Sequence, residues 1–501
     1  MAAQRSPARG PIAFINRKVE SEWLSSRLDE AMSGAPTLAL VRGDAGTGKT
    51  RLLRELLPRF EKEGAVLWSH AYEYSAVPYL PVAEAVRSSI ERFPNAVSTL
   101  DEAERESLRQ FVGSGPATSV STMEPEGGES GKARLFLAIT RFILSASREC
   151  PIALVFDDLH WLDPSSLDLL THIVFTVSDR SHHGSLPILI CATHRSEDLP
   201  SRTAGAIDRW HREQICHSIE LQGLGETEVA SLVKEMGIAR PSQQLIRTLV
   251  ESTAGNPLFV QEAVLYLRNQ GALVERGGSL VATIPAGEVK LPRQVTDAIA
   301  ERTSELDSAA RAVLELGVLL GDTFEYEKIQ AVAGGIDVRG GVERCVTGGF
   351  LADQGNSLVL RHPLIRHVVY TSIPGVRRRD LHQQIADVLE ARYADPTDEQ
   401  VAEIAHHMEL AGDAVAPDRT LTYARLAGDS AMRLFAWGDA ARNYEVAVAA
   451  SQRVRNFSRE VFARLSFLAA FAYYRNLDSG PCLHHLDQAI PAFRETDEVK
   501  G

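Results

Sequence analysis

At 501 residues the chain is too long for one hydrophobic core, and its 44% apolar fraction lets each of three or four domains bury a core of ordinary size. The formal net charge of −13 offers no basic footprint for a phosphate backbone, so no DNA or RNA binding by this chain is expected. Five cysteines without paired spacing argue against a disulfide framework, while residues 1–11 lack a signal-peptide core and the longest apolar runs are strand-sized; a soluble, cytoplasmic protein with no membrane contact is expected.

Residues 1–12 are polar and read as a flexible N-terminus. Residues 13–222 alternate short apolar runs (37–41, 66–71, 152–156, 188–192 and 218–221) with helical patterns such as Leu52, Leu53, Leu56 and Leu57. That alternation predicts an α/β unit with a parallel sheet covered on both faces. Residues 113–132, rich in Gly, Ser, Pro and Glu, read as a mobile surface loop. Residues 223–287 read as a helical subdomain ending in a polar hairpin. Residues 288–375 mix helices with a hairpin around Gly348-Gly349 and Gly355-Asn356, which suits a winged helix. Residues 376–501 are helical throughout. Gly428, Ala440, Tyr444 and Ala447 have tetratricopeptide spacing, and Cys482, Leu486 and Ala489 repeat the last three offsets 42 residues later.

The loop Gly43-Asp44-Ala45-Gly46-Thr47-Gly48-Lys49-Thr50 matches G-x-x-x-x-G-K-[ST] at every fixed position, after an apolar run and before a helix. Glycines let backbone N–H groups converge on phosphate oxygens, and the helix N-terminus adds a favourable dipole. Lys49 is placed to neutralise the β- and γ-phosphates of ATP, and the Thr50 hydroxyl to ligate Mg²⁺. The partner motif is IALVFDD (152–158), an apolar strand with two carboxylates at its carboxyl end. Asp157 is the expected Mg²⁺ holder, and Asp158 the expected base for the attacking water. Arg195 ends the strand segment ATHR (192–195), where its fork can meet a γ-phosphate or simply be solvated.

With Phe14-Ile15-Asn16-Arg17, FDDLHWLDPSSLDLL (156–170), GNPLF (255–259) and RHPLI (361–365) in this order, the chain resembles the STAND class of signal-transduction ATPases. It is most similar to the group of large LuxR-type bacterial regulators and related AAA-like ATPases. The resemblance covers about residues 12–380 and implies an α/β P-loop NTPase followed by helical lid, winged helix and all-α tetratricopeptide-like repeats. It implies that Phe14, Ile15 and Arg17 lie near the adenine, that Arg195 senses the γ-phosphate, and that Pro257 packs on the base from the lid. It implies that His362 reaches the ADP phosphates from the winged helix. Asn16 and Lys18 depart from the family's Gly and Glu, and Pro363 stands where some relatives have Asp.

The resemblance further implies slow ATP hydrolysis that times a switch, a protein partner or small-molecule inducer at the tail, self-association in the ATP state, and a role in transcription. Two alternatives stand beside it: a turnover ATPase acting on nucleic acid in the manner of origin-recognition proteins, and a non-hydrolysing scaffold. Bland roles are expected for Trp161 (a packing anchor), for His160 (a surface neighbour of the metal site) and for His484 and His485 (solvated). The run Arg377-Arg378-Arg379 reads as a solvated helix start.

Overall fold

The apolar runs become five strands of one parallel sheet: β1 (Thr37–Arg42), β2 (Ala65–His70), β3 (Ile152–Asp157), β4 (Ile188–His194) and β5 (Cys216–Glu220). The computed structural model describes residues 14–15, 17–71, 77–113, 128–181, 184–195, 199–276, 279–282 and 295–495. Among these the sheet order is β2-β3-β4-β1-β5, so β4 lies between the strand that leads into the glycine loop and the strand that carries the acidic pair. Register aligns His70 with Asp157 and Arg42 with His194, which brings the carboxyl ends of β1 to β4 to one edge.

β1, β3 and β4 are buried almost throughout, as parallel strands covered on both faces must be. Alternate side chains separate the two faces. Ala39, Val41, Ala153 and Val155 meet Leu24, Leu28, Leu52, Leu53 and Phe60 of the helices Lys18–Met32 and Lys49–Glu61. Leu38, Leu40, Leu154 and Phe156 face the other way, into a core shared with the helices Gly128–Ala146 and Pro164–Ser181. Gly128 to Lys132 therefore belong to a helix, correcting the loop expected over 113–132; residues 114–127 lie outside the described residues. The residues expected to form the flexible N-terminus, 1–12, also lie outside them.

A second core gathers the helices Glu226–Glu235, Gln243–Thr253 and Pro257–Asn269 around Val229, Leu249 and Val260, followed by the hairpin β6 (Leu273–Arg276) and β7 (Ser279–Ala282). Next come the helices Val295–Ser304, Ser308–Leu320, Tyr326–Val332 and Val338–Thr347 with three short strands. β8 (Thr323–Glu325) and β9 (Leu351–Asp353) flank β10 (Ser357–Leu360) in an antiparallel sheet. The β9–β10 hairpin lies where Gly355 and Asn356 indicate a turn; β8, only three residues long, is below the resolution of pattern reading.

The helix Gly375–Arg392 continues this third core through Ile385 and Leu389. Helix pairs Pro417–Arg433 with Trp437–Ser451, and Arg459–Arg475 with Ser479–Glu495, complete the chain. A Cβ at Gly428 would lie 2.6 Å from the Tyr444 ring, so glycine is what lets the first pair close. Ala436, Ala440 and Tyr444 join the same apolar cluster as the main sheet, and Ser165 Oγ lies 3.4 Å from Asp439 Oδ2 across that contact.

Candidate functional site

The loop after β1 takes its shape from glycines in conformations that side chains resist: φ is +84° at Gly46 and +97° at Gly48, which caps the helix Lys49–Glu61. Gly46 has a second constraint, because a Cβ there would lie 2.7 Å from Leu258 Cβ. Lys49 is buried, and its ammonium donates to the carbonyls of Gly43 (2.8 Å) and Asp44 (3.0 Å). Burial pushes its pKa down, Asp158 and Asp157 oppose that, and Arg195 adds to it.

The Thr50 hydroxyl donates to Asp157 Oδ1 at 3.0 Å, and Thr193 donates to the same oxygen at 2.7 Å while accepting from the Asp158 amide at 2.8 Å. Asp157 is only 5% exposed, so its charge is held by these hydroxyls rather than by bulk water. Asp158 turns out of the strand with φ +59°, a left-handed conformation that Asp tolerates better than most side chains. Burial first, then Asp157, pushes its carboxyl up to about 7, against the pull of Lys49 and Arg195. His70 comes within 3.9 Å of Asp157, and burial keeps it below its ordinary pKa.

The hydroxyl of Thr50 and the carboxylate of Asp157 are hard oxygen donors at adjacent positions, a set that suits Mg²⁺ with the rest of its shell from phosphate and water. The glycine cradle and the buried Lys49 suit phosphate. The residues present therefore fit Mg²⁺ and a nucleotide phosphate chain.

Other elements close on this edge. Arg17, buried before the first helix, donates to the Thr47 carbonyl at 2.9 Å and pairs with Glu20 at 2.9 Å. Phe14 packs on the sheet core and Ile15 on the core around Val229, Leu249 and Val260, so these two residues link the two cores. Pro257 begins the helix Pro257–Asn269 behind Asn256, whose amide donates to the Ala45 carbonyl at 2.8 Å. The Asn256 oxygen caps the same helix by accepting from the amides of Leu258 and Phe259. Arg195 lies over the Trp161 ring at 4.9 Å; Trp161 is thus the surface on which the arginine rests, beyond its expected packing role.

His362 caps the helix Pro363–Ser372, with Nδ1 accepting from the Leu364 amide at 3.1 Å. In the neutral ring that assignment puts the proton on Nε2, a donor. Burial, then Lys49 and Arg195, lower its pKa to about 3, so the third module brings a neutral histidine into the field of both cations.

Two expectations are corrected. His160 is buried, held near 3 by burial, Arg195 and Lys49, because the short turn Leu159–Trp161 folds it inward against the Trp161 ring. His485 is also buried, stacked on Tyr473 and 3.2 Å from Glu445, while His484 is exposed. Sequence reading had no role for Thr193, His70 or Asn256. Thr193 and Asn256 sit inside the ATHR and GNPLF segments, beside residues that were assigned. His70 was findable only from the register of β2 on β3.

The fold is that of a P-loop NTPase, a five-stranded parallel α/β sheet, followed by a largely helical region. Residues 13–186 match the family model described as an AAA ATPase domain. The chain is similar to the crystal structure of a STAND protein with a tetratricopeptide repeat sensor from Pyrococcus horikoshii, with a TM-score of 0.53 and 14% identity, covering 98% of this chain and 67% of that one. That likeness is one of fold. An uncharacterised protein of Rhizobium meliloti is 23% identical over 434 residues, which is 80% of this chain but 39% of that protein, so the chain spans about two fifths of this relative's length. A Walker-type ATPase of Pyrococcus abyssi superposes with a TM-score of 0.34 and 16% identity, over 71% of this chain and 96% of that one. No described helix is long and apolar enough to cross a membrane.

Proposed function

We propose that the chain is a nucleotide-operated switch that hydrolyses ATP slowly, closed by ADP and opened by ATP. The reading draws on its STAND-like fold. The observation that carries it is His362, a neutral donor on the third module within the field of Lys49 and Arg195. A switch needs ligands that bind its two states with different affinity. A donor that leaves the site when the module swings away supplies one such difference.

In this reading the module 295–372 is the winged-helix clamp, and residues 223–282 are the lid. Lys49 and the loop amides hold the β-phosphate, and Arg195 meets the terminal phosphate. Thr50 and Asp157 would hold Mg²⁺, which would neutralise phosphate charge there. Asp158 orients and deprotonates the attacking water, helped by a carboxyl held up near 7. Arg17, Phe14, Ile15 and Pro257 wall the base. The tail receives a partner protein or a small-molecule inducer, self-association follows in the ATP state, and the output is transcriptional, as the likeness to LuxR-type regulators suggests; the setting is the cytoplasm.

Steady-state hydrolysis combined with hydrodynamic radius tests this reading. Slow turnover, with a larger radius in a non-hydrolysable ATP analogue than in ADP, is the expected result. Fast turnover with one radius in both nucleotides would replace the switch by a motor, and absent turnover would replace it by a scaffold.

A further inference from the structure

The short turn Leu159–Trp161, directly after the acidic pair, carries a buried polar side chain that the proposed switch does not use. Leu159 is buried in the sheet core and the Trp161 amide donates to the Asp158 carbonyl at 2.9 Å, so the turn is anchored at the strand end. His160 folds inward from it. Both of its ring nitrogens are buried, and among the described residues neither has a hydrogen-bond partner. Two unpaired buried nitrogens are a poor choice for packing alone, where a phenyl ring would serve without that cost. Nδ1 lies 3.9 Å from Asp158 Oδ1. The ring also lies on Trp161, with centroids 4.6 Å apart, and Trp161 in turn carries Arg195 at 4.9 Å. One histidine thus adjoins the expected base and backs the indole on which the arginine rests.

We infer that His160 is a positioning residue for hydrolysis, its Nδ1–H holding one oxygen of Asp158 so that the other is aimed at the attacking water; the inference rests on the hydrolysis reading above. The Asp158 amide is tied to Thr193 at 2.8 Å, but among the described residues no hydrogen bond ends on the Asp158 carboxylate. A neutral imidazole facing a carboxylate carries its proton on the facing nitrogen. At 3.9 Å that donor stands a short movement from bonding distance, and hydrogen bonds among catalytic groups tighten in the substrate complex. A carboxylate that turns freely spends part of its time misaimed, and a donor on one oxygen removes that freedom. The proton given up by the water goes to the other oxygen of Asp158, and His160 keeps its own. Because His160 acts through Asp158 rather than on the nucleotide, its effect falls on the chemical step and not on affinity.

Two replacements keep different halves of the side chain. His160→Phe keeps a ring against Trp161 and loses the donor, whereas His160→Asn loses the ring and keeps an N–H near the position of Nδ1. The measurement is ATP hydrolysis by the full chain with Mg²⁺, kcat and KM read separately, together with calorimetric affinity for a non-hydrolysable ATP analogue. His160→Phe is expected to lower kcat about tenfold or more, the worth of a hydrogen bond to a charged group, with KM and affinity within about twofold of wild type. His160→Asn is expected to return kcat to within about threefold of wild type. A packing role gives the reverse order, with Phe active and Asn impaired, and that order overturns the inference. A fall in Phe that Asn does not rescue overturns it too, as does a fall matched by an equal loss of affinity. Wild-type chain that binds ATP without turning it over defeats the hydrolysis reading and takes the inference with it, a failure seen before either variant is made.

Discussion

Asn256 joins the helix Pro257–Asn269 to the glycine loop with one side chain, so its replacement separates two effects that the geometry predicts. Its oxygen caps the helix Pro257–Asn269 and its amide donates to the Ala45 carbonyl at 2.8 Å. Asn256→Ala removes both. A lost cap costs about 1 kcal/mol and a lost hydrogen bond about 1 kcal/mol more, so lid attachment weakens by about 2 kcal/mol, or roughly thirtyfold. Asn256→Ser keeps a capping oxygen but loses the reach to Ala45, so about fivefold is expected. Dissociation of a fluorescent ADP, followed by stopped flow, reads this directly, because in the proposed switch the helical unit behind Asn256 lifts for the nucleotide to leave. The expected order of release rates is wild type, then Asn256→Ser, then Asn256→Ala. Equal rates in all three would refute the claim that this contact holds the lid; equal acceleration in Ser and Ala would leave the bond to Ala45 as the whole effect and remove the cap from the account.

Lys49→Ala is expected to weaken ATP and ADP binding by about 2–5 kcal/mol, roughly thirtyfold to several thousandfold, since a buried cation facing phosphate is lost; calorimetry checks it. Asp158→Asn is expected to keep nucleotide affinity and lower hydrolysis about a hundredfold or more, while Asp157→Asn weakens the Mg²⁺ dependence; equal hydrolysis by Asp158→Asn and wild type removes the base assignment. His382 and His407 face each other with Nδ1 atoms 2.8 Å apart beside His406, and burial lowers all three: His382 to about 3, His406 to about 4, His407 well below its ordinary value. The unfolded chain therefore binds more protons than the folded one below about pH 6.5, and stability falls on acidification from there toward about pH 4. Between pH 7 and 5.5 each histidine contributes a loss of about 1 kcal/mol, so melting curves should drop over that window. The drop should shrink in His382→Gln/His407→Gln, and an unchanged pH slope would count against the cluster.

The glycine-loop and acidic-pair end of the candidate site was legible because its parts are contiguous. A glycine loop after one apolar run and a carboxylate pair after another each carry their own context, and β1 and β3 then bring Thr50 and Asp157 within 3.0 Å. The order of the sheet was not legible, since neither motif says that β4 lies between the two strands. His70, Thr193 and Asn256 reach the site through strand register and lid packing, which single-chain periodicity does not encode. The loop expected over 113–132 overran because composition outweighed pattern. Leu135, Phe136 and Ile139 are buried, and that face carries the helix back through Gly128. His160 was misread for a related reason: a polar residue after an acidic pair suggests surface, but the short turn there folds it inward against the Trp161 ring.

The proposed switch clamps ADP through His362 of the third module, and His362→Ala removes that clamp. Removing the Nε2–H donor takes away a charge-assisted hydrogen bond of about 1.5–3 kcal/mol that only the closed state can make, changing the closed-to-open ratio about ten- to a hundredfold. The measurement is the ADP release rate with hydrodynamic radius, mutant against wild type in the same buffer. Faster release and a larger radius in ADP are expected, with ATP affinity changed less than ADP affinity. Unchanged release at unchanged radius would contradict it, leaving His362 as the cap of its own helix.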